Sequence, residues 1–187
     1  MTVDARYCPR CGAPLPGRPP VTCTGCGYAL FVNARPAVNI IIIDGDRFLA
    51  VKRAAPPRAG LWETPGGFCD GWEHPADAAV REAREELGVA VRLDGLVGIY
   101  IGEYDFQQER LPVLECFYVA SIAAGTLRLD PGECSDHAWL PLADPPPLAF
   151  ATMDRALADF AVGRSGSGAG TLPAVPPGAD GRGTAGH

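Results

Sequence analysis

The stretch from Gly66 to Val89 constrains this chain more than any other. Two consecutive glycines, Gly66 and Gly67, end the run Leu61-Trp62-Glu63-Thr64-Pro65 and free the backbone for close approach to a ligand or ion. A short loop follows, and then a segment from Pro75 to Leu87 made mostly of Ala, Glu, Arg and Leu, which favours helix throughout. Pro75 suits the first turn, where a missing N–H costs nothing, and Gly88 suits the position just past the end. Projected at about 100° per residue, Ala76, Val80, Ala83 and Leu87 form one apolar stripe to be buried. Glu82, Glu85 and Glu86 share a neighbouring wedge at spacings i, i+3 and i+4. Arg81 and Arg84 fall on a third face, from which they do not neutralise the whole cluster.

Carboxylates so placed repel one another. Two readings follow from the residues alone. One is a solvated acidic face, the usual fate of a charge run on a helix. The other is a set of hard oxygen ligands suited to Mg²⁺ or Mn²⁺. The glycine loop in front moves the balance toward a ligand site. Glu73 lies eight residues before Arg81 and is placed to pair with it across the loop–helix junction. Asp70 and Trp72 read as loop residues.

Around this stretch the chain divides by composition. Residues 1–33 hold four of the seven cysteines. Residues 34–163 look globular, and 47% hydrophobic residues over the chain suffice for a core. Residues 164–187 are dominated by Gly, Pro, Ala and Ser and read as a disordered tail. Within the middle region, strands are expected at Ala37 to Ile43, Arg47 to Arg53, Leu93 to Tyr104, Val113 to Ser121 and His137 to Leu140. Asp44-Gly45-Asp46 makes the first turn. A helix is expected over Thr152 to Val162, with Thr152 as N-cap and Gly163 as the stop. The three prolines between Ala143 and Leu148 require a loop. A mixed sheet flanked by helices, an α/β class, packs these elements most simply.

Cys8-Pro-Arg-Cys11 and Cys23-Thr-Gly-Cys26 are separated by eleven residues, and each pair is followed at once by a glycine, Gly12 or Gly27. Two such turns supply four thiolates for a closed tetrahedral Zn²⁺ site. With no open position on the metal, its expected role is to fold a segment that has no core of its own. A redox pair needs only one such turn. Cys69, Cys116 and Cys134 lack paired spacing.

The central stretch resembles the Nudix box, Gly-x5-Glu-x7-Arg-Glu-U-x-Glu-Glu-x-Gly-U with U apolar. Gly67, Glu73, Arg81, Glu82, Ala83, Glu85, Glu86, Gly88 and Val89 stand at its defined positions, Ala83 being small for U. The resemblance implies an α/β/α sandwich around a mixed sheet, preceded here by a small four-cysteine zinc ribbon. It implies hydrolysis of a nucleoside diphosphate linked to another moiety. By the same analogy Glu82, Glu85 and Glu86 bind Mg²⁺ or Mn²⁺ and act in catalysis, with the Gly67 carbonyl as a further ligand. Glu73 and Arg81 brace loop and helix. A ribbon before such a domain is similar to the NADH pyrophosphatase-like branch and to relatives acting on ADP-ribose or FAD. The Ser-Gln-Pro-Trp-Pro-Phe-Pro-x-Ser array of NADH pyrophosphatases is replaced by Ile99 to Glu109, which turns the expectation toward ADP-ribose or FAD. Glu133 is the expected base, with Asp136 and Glu115 behind it. Arg53, Gly66 and Gly67 are expected to contact substrate.

The net charge of −6 and the lack of a long basic tract disfavour duplex binding. Nucleic acid is therefore not an expected partner, although a sensor or RNA-cap-processing role using the ribbon is the rival reading. No segment has the length and apolarity of a membrane span, and no secretory signal is seen, so a cytoplasmic location is expected. A homodimer is compatible with the sequence.

Overall fold

The computed structural model describes residues 5–107 and 109–166. The cysteine-bearing segment forms a two-stranded antiparallel ribbon, β1 (Val21–Thr22) and β2 (Ala29–Leu30). The rest is built on a six-stranded mixed sheet with two helices: β3 (Arg35–Asp44), β4 (Arg47–Arg53), β5 (Trp62–Glu63), α1 (Pro75–Leu87), β6 (Ala90–Phe106), β7 (Glu109–Ala124), β8 (Cys134–Pro141) and α2 (Ala151–Gly166). The order is β5-β4-β3-β7-β6, with β8 on β4.

The β-branched run of β3 is buried on both faces, as a central strand requires. It runs parallel to β7, pairing Arg35 through Ile42 with Val113 through Ala120. Side chains alternate between two cores. Val38, Ile40 and Ile42 pack with Ala79, Ala83 and Leu87 of α1. Ile41 packs with Phe117, Val119 and the α2 residues Met153, Ala156, Leu157 and Phe160. The sandwich therefore has α1 on one face of the sheet and α2 on the other.

The feature that creates the site is a split in the sheet. β3 and β4 pair only at Ile43–Phe48 and Asp44–Arg47, beside the hairpin turn. β4 then pairs with β5 at Val51–Glu63 and Lys52–Trp62. Into the wedge runs the segment after β5. Its carbonyls Pro65 O and Gly67 O accept from Ile40 N and Val38 N at 2.8 Å each, and Cys69 N donates to Pro36 O at 3.1 Å. Only glycine fits at 66: its φ is +149°, and a Cβ there would lie 2.1 Å from Val38 O.

Every expected strand is present, most of them longer at both ends. The expected helix 152–162 starts at Ala151 and runs to Gly166, so Gly163 does not stop it. Nor does Thr152 cap it: Thr152 sits inside the first turn, buried, with its Oγ1 lacking a hydrogen bond. Leu148 N instead donates to Asp154 Oδ1 at 3.0 Å across the start of α2. Of the expected tail, Arg164 to Gly166 belong to α2, and 167–187 lie outside the described residues.

Candidate active site

Helix α1 carries the acidic residues as its ends dictate. His74 is its N-cap, its Nδ1 accepting from Ala76 N at 3.1 Å, Pro75 opens it, and Gly88 closes it at φ +68°. The buried face is wider than the apolar stripe and takes in Glu82 and Glu86 along with Ala76, Ala79, Ala83 and Leu87. Glu85 is exposed and lies on the helix flank.

Arg81 does more than its projected face allows. Its Nε and Nη2 grip both oxygens of Glu73 at 2.9 and 2.8 Å, and Nη2 also reaches Phe68 O at 3.1 Å. Its Nη1 bridges Glu82 Oε1 and Glu85 Oε2 at 2.8 Å each. The long side chain lies across the faces that a helical projection separates. These bonds hold the Glu73 carboxyl below its ordinary range. None of them reaches Glu86, whose Oε2 accepts from Gly66 N at 3.0 Å.

Carboxylate oxygens of Glu82, Glu86 and Glu133 all come within 4.8 Å of one another. Glu133 enters from the loop before β8, fixed by Ala54 N donating to Glu133 O at 2.8 Å. Burial pushes Glu86 well above the usual carboxylate range, and Glu63, Glu82 and Glu133 push it further, against the Gly66 N–H. Burial also raises Glu82, against Arg81. Three converging acids, one with no positive partner among the described residues, form a hard-oxygen set that a divalent cation fits. Gly67 passes tightly over them: a Cβ there would stand 2.5 Å from Glu82 Oε1. Its carbonyl already accepts from Val38 N, with one lone pair remaining.

The trio lines a cavity of about 320 Å³ where the sheet splits, together with Arg53, Glu63, Gly66, Gly67 and Phe68. Arg53 is held by Glu63 at 2.6 Å, Pro57 O at 2.7 Å and the Tyr104 hydroxyl at 3.3 Å. This ion pair is largely buried, not a surface one. Glu115 also lines the cavity, whereas Asp136 is spent on His137 N at 2.8 Å and lies outside the lining. Asn39, Thr64 and Glu63, all buried, belong to no motif or spacing that marks a site. Asn39 had a signal, being the one polar residue in the apolar run Val38 to Ile43. The meeting of Glu133 with α1 had none, because it depends on the loop between β7 and β8.

In the amino-terminal segment, Cys8, Cys11, Cys23 and Cys26 place their sulfurs within 4.8 Å of one another. Cys8 and Cys26 are 3.7 Å apart, as are Cys11 and Cys23. Gly12 and Gly27 adopt φ +74° and +73°, and each donates to the carbonyl of the first cysteine of its pair at 2.9 Å. Four soft ligands at this spacing can hold zinc.

A split mixed sheet between two helices, with a glycine loop and converging carboxylates at the split, defines a class of α/β protein whose cleft lies at the split and is lined by acids. The NUDIX domain family model matches residues 33–160, and the chain belongs to that family. The chain is 29% identical over 167 residues to the NAD-capped RNA hydrolase NudC of Pseudomonas fluorescens, an alignment covering 86% of this chain and 57% of that protein. It thus spans little more than half the length of such relatives. It is 28% identical over 123 residues to the ADP-ribose pyrophosphatase of Methanocaldococcus jannaschii, covering 66% of this chain and 71% of that one. Among solved structures, the MutT NUDIX hydrolase from Burkholderia pseudomallei superposes with a TM-score of 0.61 at 29% identity, over 68% of this chain and 98% of that one. A NUDIX hydrolase from Nitrosomonas europaea shares the fold with a TM-score of 0.70 at 21% identity, over 87% and 93%. No helix among the described residues is long and apolar enough to cross a membrane.

Proposed function

We propose that this chain hydrolyses the diphosphate linkage of a nucleoside diphosphate joined to another group, with ADP-ribose, FAD or a related dinucleotide as substrate class and a mononucleotide as product. The observation that carries this reading is the convergence of Glu82, Glu86 and Glu133 on one cavity beside Gly66 and Gly67. Those three acids would hold Mg²⁺ or Mn²⁺, which when bound supplies positive charge against the phosphate oxygens. Arg81 would orient Glu82 while tying the loop to the helix through Glu73. Arg53 would bring a guanidinium to the phosphate side of the cavity, already oriented by Glu63 and Tyr104. Glu133, the exposed member of the trio, is best placed to take a proton from water. We assign Glu85 a supporting role through Arg81. The four-cysteine ribbon over 1–33 would carry structural zinc, and 34–163 the catalytic domain.

The test is a panel of ADP-ribose, FAD, NADH, diadenosine polyphosphates and nucleoside triphosphates, with products identified by mass, with and without Mg²⁺ or Mn²⁺. Metal-dependent release of a mononucleotide from the first two is the expected result. No cleavage of any member at saturating metal overturns the reading.

A second reading rests on a specific observation. Some relatives are named for capped RNA, and Tyr7 and Phe31 of the ribbon are 64% and 66% exposed, as stacking on unpaired bases requires. Tighter binding of a capped oligonucleotide than of the free dinucleotide, lost in Phe31→Ala, would support it.

A further inference from the structure

The cavity has a second polar wall that the diphosphate chemistry does not use. Alternation along the parallel pair β3–β7 turns Ala37, Asn39, Val113 and Glu115 to the α2 side, and all four line the cavity. Glu115 is 8% exposed. Its Oε1 accepts one long hydrogen bond, from Asn39 Nδ2 at 3.5 Å, and its Oε2 has no partner. Asn39 is held in turn by Thr64, whose Oγ1 donates to Asn39 Oδ1 at 3.1 Å. The neighbouring strand has no side chain here: a Cβ on Gly102 would stand 2.6 Å from Glu115 Oε2. Burial pushes its carboxyl up, against the Thr152 hydroxyl and the Asn39 amide.

A buried carboxyl whose one N–H donor is the long bond from Asn39 is short of N–H groups. The remaining walls here are Phe68, Tyr104, Phe150 and Met153, with Phe68 edge-on to Tyr104 and Tyr104 stacked on Phe150 at 5.7 Å. Such walls suit a flat ring. We propose that Glu115, oriented by Asn39, is a specificity-determining residue that accepts a hydrogen bond from the exocyclic amine of the substrate's base, so that the site selects a 6-aminopurine over a 6-oxopurine. The proposal rests on the hydrolase reading for its substrate. Oε1, which faces Asn39, is the acceptor offered to the amine. An oxo group in place of the amine sets oxygen against Oε1 and leaves the wall unpaired, which a buried site penalises by about tenfold to a hundredfold or more.

The experiment compares kcat/KM for ADP-ribose and its inosine analogue, and calorimetric binding of AMP and IMP, in the wild type, Glu115→Gln and Glu115→Leu. The wild type should favour the amine by about tenfold or more. Glu115→Gln keeps an acceptor toward Asn39 and should retain most of the preference, whereas Glu115→Leu should bring the ratio near one. Thermal melts establish that each variant is folded. Equal treatment of the two bases by the wild type, an undiminished preference in Glu115→Leu, or failure of both mononucleotides to bind overturns the proposal. Cleavage of both substrates without preference defeats base selection alone and leaves the hydrolase reading standing. Absence of any cleavage, with AMP still preferred over IMP, defeats the hydrolase reading and leaves Glu115 as the base reader.

Discussion

Glu85 and Glu86 are adjacent and chemically identical, yet the helix sends them to different places. Glu86 is 5% exposed and lies with Glu82 and Glu133, whereas Glu85 is exposed and engaged by Arg81. Glu86→Gln removes charge where a cation would bind, and replaces an acid that has no positive partner with a neutral side chain of the same shape. The fold should therefore persist, with turnover at saturating Mg²⁺ down by a factor on the order of 10²–10⁴. Glu85→Gln loses one of several bonds to Arg81, and its loss should be at least about tenfold smaller. Steady-state kinetics over a Mg²⁺ titration decide the matter, and equal losses would place Glu85 among the ligands after all. Helical spacing places Glu82, Glu85 and Glu86 in one wedge. It does not separate them, because which wedge of a helix is buried depends on what packs there. The reach of Arg81 escapes helical spacing for a related reason: a projection places Cα atoms, while a long guanidinium side chain crosses two faces.

Among elements, the segment between β5 and α1 bears the most on the site. It has almost no regular structure, yet its backbone completes the unpaired part of β3. Gly66→Ala tests whether that wedge is obligatory. The added Cβ would meet the backbone oxygen Val38 O, which cannot rotate away, and φ of +149° is itself unfavourable for alanine. The loop must then shift, breaking the Gly66 N to Glu86 Oε2 bond. Urea denaturation should show a loss of about 2–3 kcal/mol or more, and turnover should fall even at temperatures where the variant is folded. Unchanged stability would mean that the loop has room the structure does not show. Strands and helices were legible because alternation and helical spacing are local properties. The two-residue strand β5 was not, since Trp62 and Glu63 pair with β4 only through the split in the sheet. The end of α2 lies beyond Gly163 because glycine costs only about 1 kcal/mol inside a helix that packs well elsewhere.

For the whole molecule, two sources of stability can be separated. Among residues 5–33, Cys8 and Cys23 are the buried apolar residues, so this segment lacks a core, whereas both faces of the sheet have one. Removing bound metal with a strong chelator should unfold the ribbon and leave the sheet's cooperative transition in place, seen as selective loss of amide protection before residue 33. Loss of the main transition on chelation would show the two parts to be one folding unit. The sheet's own stability should depend on pH through the acids in the split. Burial pushes Glu63 up to about 7, against the pull of Arg53. Its unfolded value is 4.5, so between these values the folded chain binds more protons than the unfolded one, and stability falls as pH rises. The interval corresponds to about 3 kcal/mol, fully present below the unfolded value and lost above the folded one. Glu73 has the opposite sign, but it is depressed, so its contribution is lost only as pH falls below about 4.5, outside this window. Metal-free protein should therefore resist urea better at pH 5.5 than at pH 7.5. In Glu63→Gln that slope should flatten even though Arg53, deprived of its partner, lowers stability at every pH. A slope that rises with pH, or one unchanged in Glu63→Gln, would mean that Arg53 keeps Glu63 ionised throughout and that the charge in the split is balanced without a bound cation.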